Sequence, residues 1–468
     1  MNDPGRVVIL GAGPTGLGAA YALHSAGVED FVLIEATDHP GGLASSVVDR
    51  AGFTWDIGGH VQFSHYWRYD DLLDQALGDD WLHHERESWI WIRDRFVPYP
   101  FQNNIHRLDE RERIQILSEL ERAAALPPEN PPLHFADWIL RTFGPTLADL
   151  FFCPYNFKVW GFPLHMLGTR WMGERVAVPD LSRIRRSVRE GRDDTSWGPN
   201  NTFRFPRRGG TGAIWRGVAQ LLPAENLQFG AGAIRIDLTQ RQIVLSGGRT
   251  VFYDHLITTV PLDAFCRLSE GLSLEAREAA QSLVHSSVHV LGFGLRGPKP
   301  ASLGKKCWMY FPEPDSPYYR VTVFSNYSPH HVPSSGEYWS LMAEVCESSH
   351  KPVDGTTLAD WASRSLRENR LIENDTEIVS LWHFRAEHGY PTPIATRDEV
   401  LATVLPVLER HRVFSRGRFG AWKYEVSNQD HSCMQGIEVV ERLLGIGEEV
   451  TISRPDYVNG GAMLKRSA

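Results

Sequence analysis

Residues 6–43 constrain the start of this chain more tightly than any other stretch. The run Arg6-Val7-Val8-Ile9-Leu10 is followed by Gly11-Ala12-Gly13-Pro14-Thr15-Gly16 and an apolar helical run over 17–26. A second apolar run, Phe31-Val32-Leu33-Ile34, then ends on Glu35. Strand, glycine turn, helix, strand and acid in that order make a dinucleotide cradle. Gly11 permits the tight turn, Gly13 lets backbone approach a pyrophosphate at the helix N-terminus beside Thr15, and Gly16 lets helix and strand pack closely. Glu35 is placed to accept from a ribose hydroxyl. A second glycine turn, His39-Pro40-Gly41-Gly42-Leu43, follows the acid and favours FAD over NAD.

The rest of the chain is long enough for further domains, at 468 residues. We divide it into 1–100 (FAD-binding, first part), 101–195 (helical, substrate-side), 196–285 (FAD-binding, second part), 286–405 (antiparallel sheet, substrate-side) and 406–468 (FAD-binding, third part). The expected class is therefore α/β: a Rossmann-like FAD-binding domain with an inserted helical domain and an antiparallel β-sheet domain. In the helical part, Ile114, Leu117, Leu120 and Ala124 form one expected apolar stripe. Phe135, Trp138, Ile139 and Phe143 form another. Pro127-Pro128 separates them and Gly144-Pro145 is expected to stop the second. Alternating runs at 288–290, 338–341 and 378–382 give the sheet. A glycine-led helix is expected over 212–222, a hairpin at Gly247-Gly248, and a last helix over 435–444.

Charge and cysteine usage narrow the partners. A net charge of -9 offers no basic footprint for nucleic acid or a membrane surface. The five cysteines lack metal-ligand spacing, so no metal site is expected. With no apolar run of membrane-spanning length and no leader-like start, a cytoplasmic location is expected.

Several clusters carry chemistry beyond the cradle. Gly58-Gly59-His60-Val61 brings backbone and one imidazole to a planar ring. Tyr99, Phe101 and Gln102 lie in one aromatic and amide cluster, and Tyr155, Asn156 and Trp160 in another. Tyr318-Tyr319-Arg320 with Tyr327, Tyr390 after His388-Gly389, and Arg418 through Tyr424, Asn428, Gln429 and Ser432 complete the set. Arginine and tyrosine donors suit a diphosphate and sugar hydroxyls, with the harder chemistry left to the flavin.

These clusters resemble the UDP-galactopyranose mutase family, and its eukaryotic branch more than the bacterial one. The resembling blocks are 58–66, 97–108, 154–160, 173–180, 203–215, 318–329, 388–393 and 415–432, spread over most of the chain. The resemblance implies an isomerase that interconverts pyranose and furanose forms of a nucleotide-diphosphate sugar through an adduct on N5 of the reduced flavin, with no net redox change. It implies that Arg175 and Arg320 hold the diphosphate, that Tyr327, Tyr390 and Tyr424 hydrogen-bond it, and that His60 meets the isoalloxazine. Asn156, Trp160, Asn200, Arg418 and Asn428 would surround the sugar or flavin edge. Tyr99, Phe101, Gln102 and Tyr155 would form the nucleoside pocket, and Trp308 and Tyr310 a substrate-side flap. Arg86 and Ser88 would meet NADPH, the reductant.

Cys153, Gly161-Phe162 and Lys423 depart from the family pattern beside the pocket, which opens the identity of base and sugar. The same grip would serve a UDP-linked sugar or a GDP-linked hexose or deoxyhexose. Self-association is left open. A flavin oxidase of the amine or protoporphyrinogen type is the competing class; it would need an apolar cavity without diphosphate arginines.

Overall fold

The computed structural model describes residues 2–125, 131–195, 198 and 201–460. Val7–Leu10 is fully buried and lies central in a five-stranded parallel sheet, between His255–Thr258 and Phe31–Ile34. Val413–Ser415 extends one side and Leu227–Gln228 the other. Strands that start at residues 7, 31, 227, 255 and 413, from the stretches 1–100, 196–285 and 406–468, thus share one sheet. The helix Pro14–Ser25 starts directly after the first strand and packs on Gln429–Leu444. Their contact is backbone-close: a Cβ on Gly436 would lie 2.0 Å from the Thr15 carbonyl oxygen, and one on Gly18 2.5 Å from that of Cys433. This late helix begins at Gln429, six residues before the start expected for it, and carries Gln429 and Ser432 on its first turn; two short helices, Val450–Ser453 and Pro455–Asn459, follow it.

A seven-stranded, mostly antiparallel sheet faces the parallel one across the cavity described below. Its order is Ile378–Pro391, His285–Arg296, Tyr338–Glu347, Arg320–Val323, Trp308–Tyr310, Ser88–Ile92 and Arg95–Pro98. The last two strands come from the stretch divided off as 1–100, yet they pair with this sheet: Trp308 stands against Ser88 and Tyr310 against Ile90. Both glycines of the expected hairpin take positive φ between Gln242–Leu245 and Thr250–Phe252. The glycine-led helix is Gly212–Gln220.

The helical part holds Glu110–Ala125, Phe135–Leu147, Cys153–Trp160 and Leu181–Glu190. Two details differ from expectation. Ile114 is 61% exposed and Ala124 is exposed, because the inward face of Glu110–Ala125 runs through Ile116 and Leu120. Gly144 (φ 77°) breaks the second helix, but Pro145 restarts it: buried Glu119 accepts from the Thr146 amide (2.8 Å) and hydroxyl, which caps the second piece. Phe135, Ile139 and Phe143 are buried as expected. Pro127-Pro128 lies outside the described residues. The five cysteines are unpaired, and all but Cys153 are buried. Among the described residues no helix is long and apolar enough to cross a membrane.

Candidate active site

A cavity of about 980 Å³ lies between the two sheets and is walled by both halves of the chain. At one end is the glycine turn. Gly11 and Gly16 are packed tight: a Cβ on Gly16 would meet the Gly11 carbonyl oxygen at 1.9 Å, and one on Gly11 the Thr259 hydroxyl at 2.1 Å. Gly16 thus shapes the turn without lining the cavity. Gly13 differs, since the nearest atom to an added Cβ would be the Gly41 oxygen at 3.9 Å. That bare backbone opens onto the cavity beside Thr15, Gly42 and Leu43. No side chain caps the helix at Gly13, so its first N–H groups are left for a ligand. Glu35 lines the same end, its carboxylate held by the Ala12 amide (2.7 Å) and by the Thr37 amide and hydroxyl (2.9 Å each). These features fit the diphosphate and ribose of FAD.

The middle is formed by Gly58, Gly59, His60 and Val61, with Asn428, Gln429 and Ser432 from the start of Gln429–Leu444. A Cβ on Gly59 would lie 3.1 Å from Trp308 Nε1 and 3.3 Å from Arg320 Cζ, so only glycine lets this loop press on the substrate half. Burial pushes the His60 imidazole down to about 4, with Glu344 opposing and Arg418 and Arg320 adding to the drop. The ring is therefore neutral near pH 7. Its Nδ1 is buried without a protein partner, as is Trp308 Nε1.

The far end is cationic and aromatic. Arg175 donates to Asn428 Oδ1 (3.1 Å) and the Glu425 carbonyl (3.0 Å), and lies 4.7 Å over the Tyr424 ring. Its Nε has no protein partner. Arg418 donates to Ser427 Oγ (3.0 Å) and the Gly389 carbonyl (3.0 Å), with the Tyr390 ring at 5.1 Å. Arg320 is held differently: Glu344, 2% exposed, accepts from its Nε and from NH2 (2.8 Å). Burial opposes the Arg320 charge, but the Glu344 carboxylate outweighs it and holds the guanidinium protonated. Tyr319 donates to Glu344 (3.2 Å) and its hydroxyl lies 3.3 Å from that of Tyr390. Burial and the nearby Glu344 push Tyr390 up to about 12 against the pull of Arg320, so it stays a donor.

Tyr99, Tyr155 and Tyr310 make a shelf in this end, with Tyr310 ring centroids 5.5 and 5.3 Å from the other two. Asn156, Trp160, Arg86 and Trp308 complete the wall. Asn156 donates to the Phe152 carbonyl (2.8 Å). The helix Cys153–Trp160 that carries three of these residues follows a π-helical turn, Ala148–Phe152.

Four expected site residues stand elsewhere. Tyr327 is fully buried behind the wall, its ring packed on Phe203 and Phe205 at 5.3 and 5.0 Å. Phe101 packs on Phe151 in the helical core. Gln102 donates its amide to the Ala177 carbonyl (2.7 Å). Ser88 sits in its strand off the cavity, whereas Arg86 lines it. Asn200 lies outside the described residues. Glu344 escaped the sequence reading, although one acid inside the apolar run 338–346 was a visible signal.

Residues 14–367 match the model of the flavin containing amine oxidoreductase family. A crystal structure of a reduced UDP-galactopyranose mutase is 49% identical, with 97% of each chain covered and a TM-score of 0.94. The chain belongs to the UDP-galactopyranose mutase family. It is a flavin-dependent mutase and binds FAD. Two more distant structures share the fold alone. A putative protoporphyrinogen oxidase from Exiguobacterium is 16% identical (TM-score 0.71, 94% of this chain and 99% of that one). A fatty acid isomerase from P. acnes is 15% identical (TM-score 0.64, 94% and 99%).

Proposed function

We propose that this mutase interconverts the pyranose and furanose forms of a nucleotide-diphosphate sugar, with UDP-galactopyranose and UDP-galactofuranose as the first pair. The observation that carries this is that Arg175, Arg320 and Arg418 line the same cavity as the dinucleotide cradle, with Arg175 and Arg418 over the Tyr424 ring and Arg320 over Trp308 and Tyr319. An oxidase of apolar amines has no use for three guanidiniums there. Reduced FAD, when bound, would supply the nucleophile for the anomeric carbon.

The chain's own part is to grip and position. Arg175 and Arg320 would meet the diphosphate as its charge grows, in a water-poor wall where such contacts are strong. Tyr390 and Tyr424 would donate to the same oxygens. Asn156, Trp160, Arg418 and Asn428 would border the sugar, and neutral His60 would present its loop without a competing charge. Tyr99, Tyr155 and Tyr310 would stack the base. Holding the diphosphate while the sugar rearranges keeps both fragments near for recombination.

A GDP-linked hexose or deoxyhexose is the second reading, because the arginine and tyrosine grip reads the diphosphate, which both kinds of nucleotide sugar share. NADPH is proposed as the reductant, with Arg86 as the cation that meets it. The test is a screen of UDP- and GDP-sugars with dithionite-reduced, FAD-loaded protein, read by chromatography. We expect furanose product only after reduction, with no reductant consumed per turnover. Equal turnover by oxidised protein, or stoichiometric NADPH use, would overturn the proposal.

A further inference from the structure

An aromatic column runs along the sheet, away from the cavity, and takes no part in gripping the substrate. Its cavity end is Phe384, itself 37% exposed, which lines the cavity beside Val290. Trp382 follows at 6.0 Å with its ring 8° from parallel, and Trp55 lies at 6.2 Å and 7° from Trp382. Phe53 is 5.8 Å beyond Trp55, and Tyr338 stands edge-on to Phe53 at 5.9 Å. Tyr338 is half-buried, and its hydroxyl accepts from Arg296, 48% exposed, at the strand's outer end.

The strand beside the edge, His285–Arg296, is cut to hold this column. On the face of His285–Arg296 that bears Val290, the next two inward positions are Gly292 and Gly294. A Cβ on Gly292 would lie 2.6 Å from the Trp55 ring, and one on Gly294 2.6 Å from Phe53. Buried Trp55 also has a proton acceptor: its Nε1 donates to Asp49 Oδ2 at 2.8 Å. Asp49 is itself half-exposed. Two indole rings stacked near-parallel, with a carboxylate on the N–H of Trp55 and an exit at the surface, are what stepwise electron transfer requires.

We propose that Trp382 and Trp55 reduce the bound flavin under blue light, so that the chain can set its own cofactor to the reduced level. Trp382 gives one electron to the light-excited FAD ring. Trp55 refills Trp382 and passes its indole proton to Asp49. A thiol in solution returns the electron at the outer end and ends as half of a disulfide. Two rounds balance as FAD plus two thiols giving FADH2 plus one disulfide, with both protons drawn from the thiols through solvent.

The test irradiates FAD-loaded protein without oxygen, with a thiol present and with UDP added to cover the substrate half of the cavity. Bleaching of the flavin band and the transient absorption of an indole radical are both recorded. In the wild type we expect bleaching faster than that of free FAD, with the radical signal. In Trp382→Phe we expect both to be lost. In Trp55→Phe we expect the radical to be short-lived and bleaching to slow. Mutase turnover after dithionite should be kept in both variants, which also shows that they fold. Unchanged bleaching in both variants would overturn the proposal, as would a yellow wild type that bleaches no faster than free FAD. A protein that takes up no FAD would overturn the flavin assignment as well, which separates the two failures.

Discussion

Glu344 holds Arg320 from below with both carboxylate oxygens, so the guanidinium enters the cavity already oriented. The acid is buried, and the pair sits on neighbouring strands in register. Removing one partner leaves a buried charge uncompensated, which typically costs about 3–5 kcal/mol. We predict that Arg320→Ala loses stability of that order while also losing kcat/KM by about tenfold to a few hundredfold. Arg320→Met combined with Glu344→Met should be more stable than either single variant. Denaturant titration beside steady-state kinetics checks both statements, and an Arg320→Ala protein as stable as wild type would refute the first.

Arg175 should behave differently. Its partners are an amide and a carbonyl, so no buried carboxylate is stranded when it goes. Arg175→Ala is expected to lower kcat/KM by roughly ten- to a hundredfold while stability changes by about 1 kcal/mol or less. Unchanged kinetics would mean that the diphosphate lies elsewhere.

The glycine turn offers a separation of folding from cofactor binding. Gly13 has extended backbone (φ −77°, ψ −175°) and open space around a would-be Cβ, whereas Gly16 has none. Gly13→Ala should leave the flavin-free protein as stable as wild type but unable to hold FAD. Gly16→Ala should lower the melting temperature of the flavin-free protein as well. Melting curves with and without added FAD, together with flavin absorbance, distinguish the two.

His60 gives a pH prediction. Its ordinary value is 6.5 and burial takes it to about 4 in the fold. Between those values the unfolded chain binds a proton that the folded chain does not. Its contribution to stability is thus fully present above pH 6.5 and is lost as the pH falls towards 4. Asp56 works the other way, since burial pushes its carboxyl up to about 6. The comparison of wild type with His60→Gln removes that background. We expect the variant's stability to fall less steeply over this range, and parallel curves would refute it.

The cradle was legible because its chemistry is local: Gly11, Gly13, Gly16, Gly41, Gly42 and Glu35 lie in one short stretch and state their geometry by their own backbone needs. The substrate half was legible as residue types without positions. Tyr327 and Gln102 carry suitable groups, yet a tyrosine capping one short 3-10 helix and an amide inside another can face either way, and both turned inward. Glu344 could be seen as an acid in an apolar strand, but its partner lies across a strand pairing that no local pattern reports. Likewise Gly292 and Gly294 read as weak points in a strand until the rings of Trp55 and Phe53 are laid over them.

The contact between Pro14–Ser25 and Gln429–Leu444 also bears on how the enzyme is made. Pro14–Ser25 can meet Gln429–Leu444 only after the ribosome has passed the second helix, because the two are some 400 residues apart. Thr15 and Ser432, on those two helices, line the same cavity. Such long-range closure is slow and exposes apolar surface while it waits. Cofactor capture therefore waits for that helix, and a nascent chain cut before residue 429 should stay colourless however long it is given flavin.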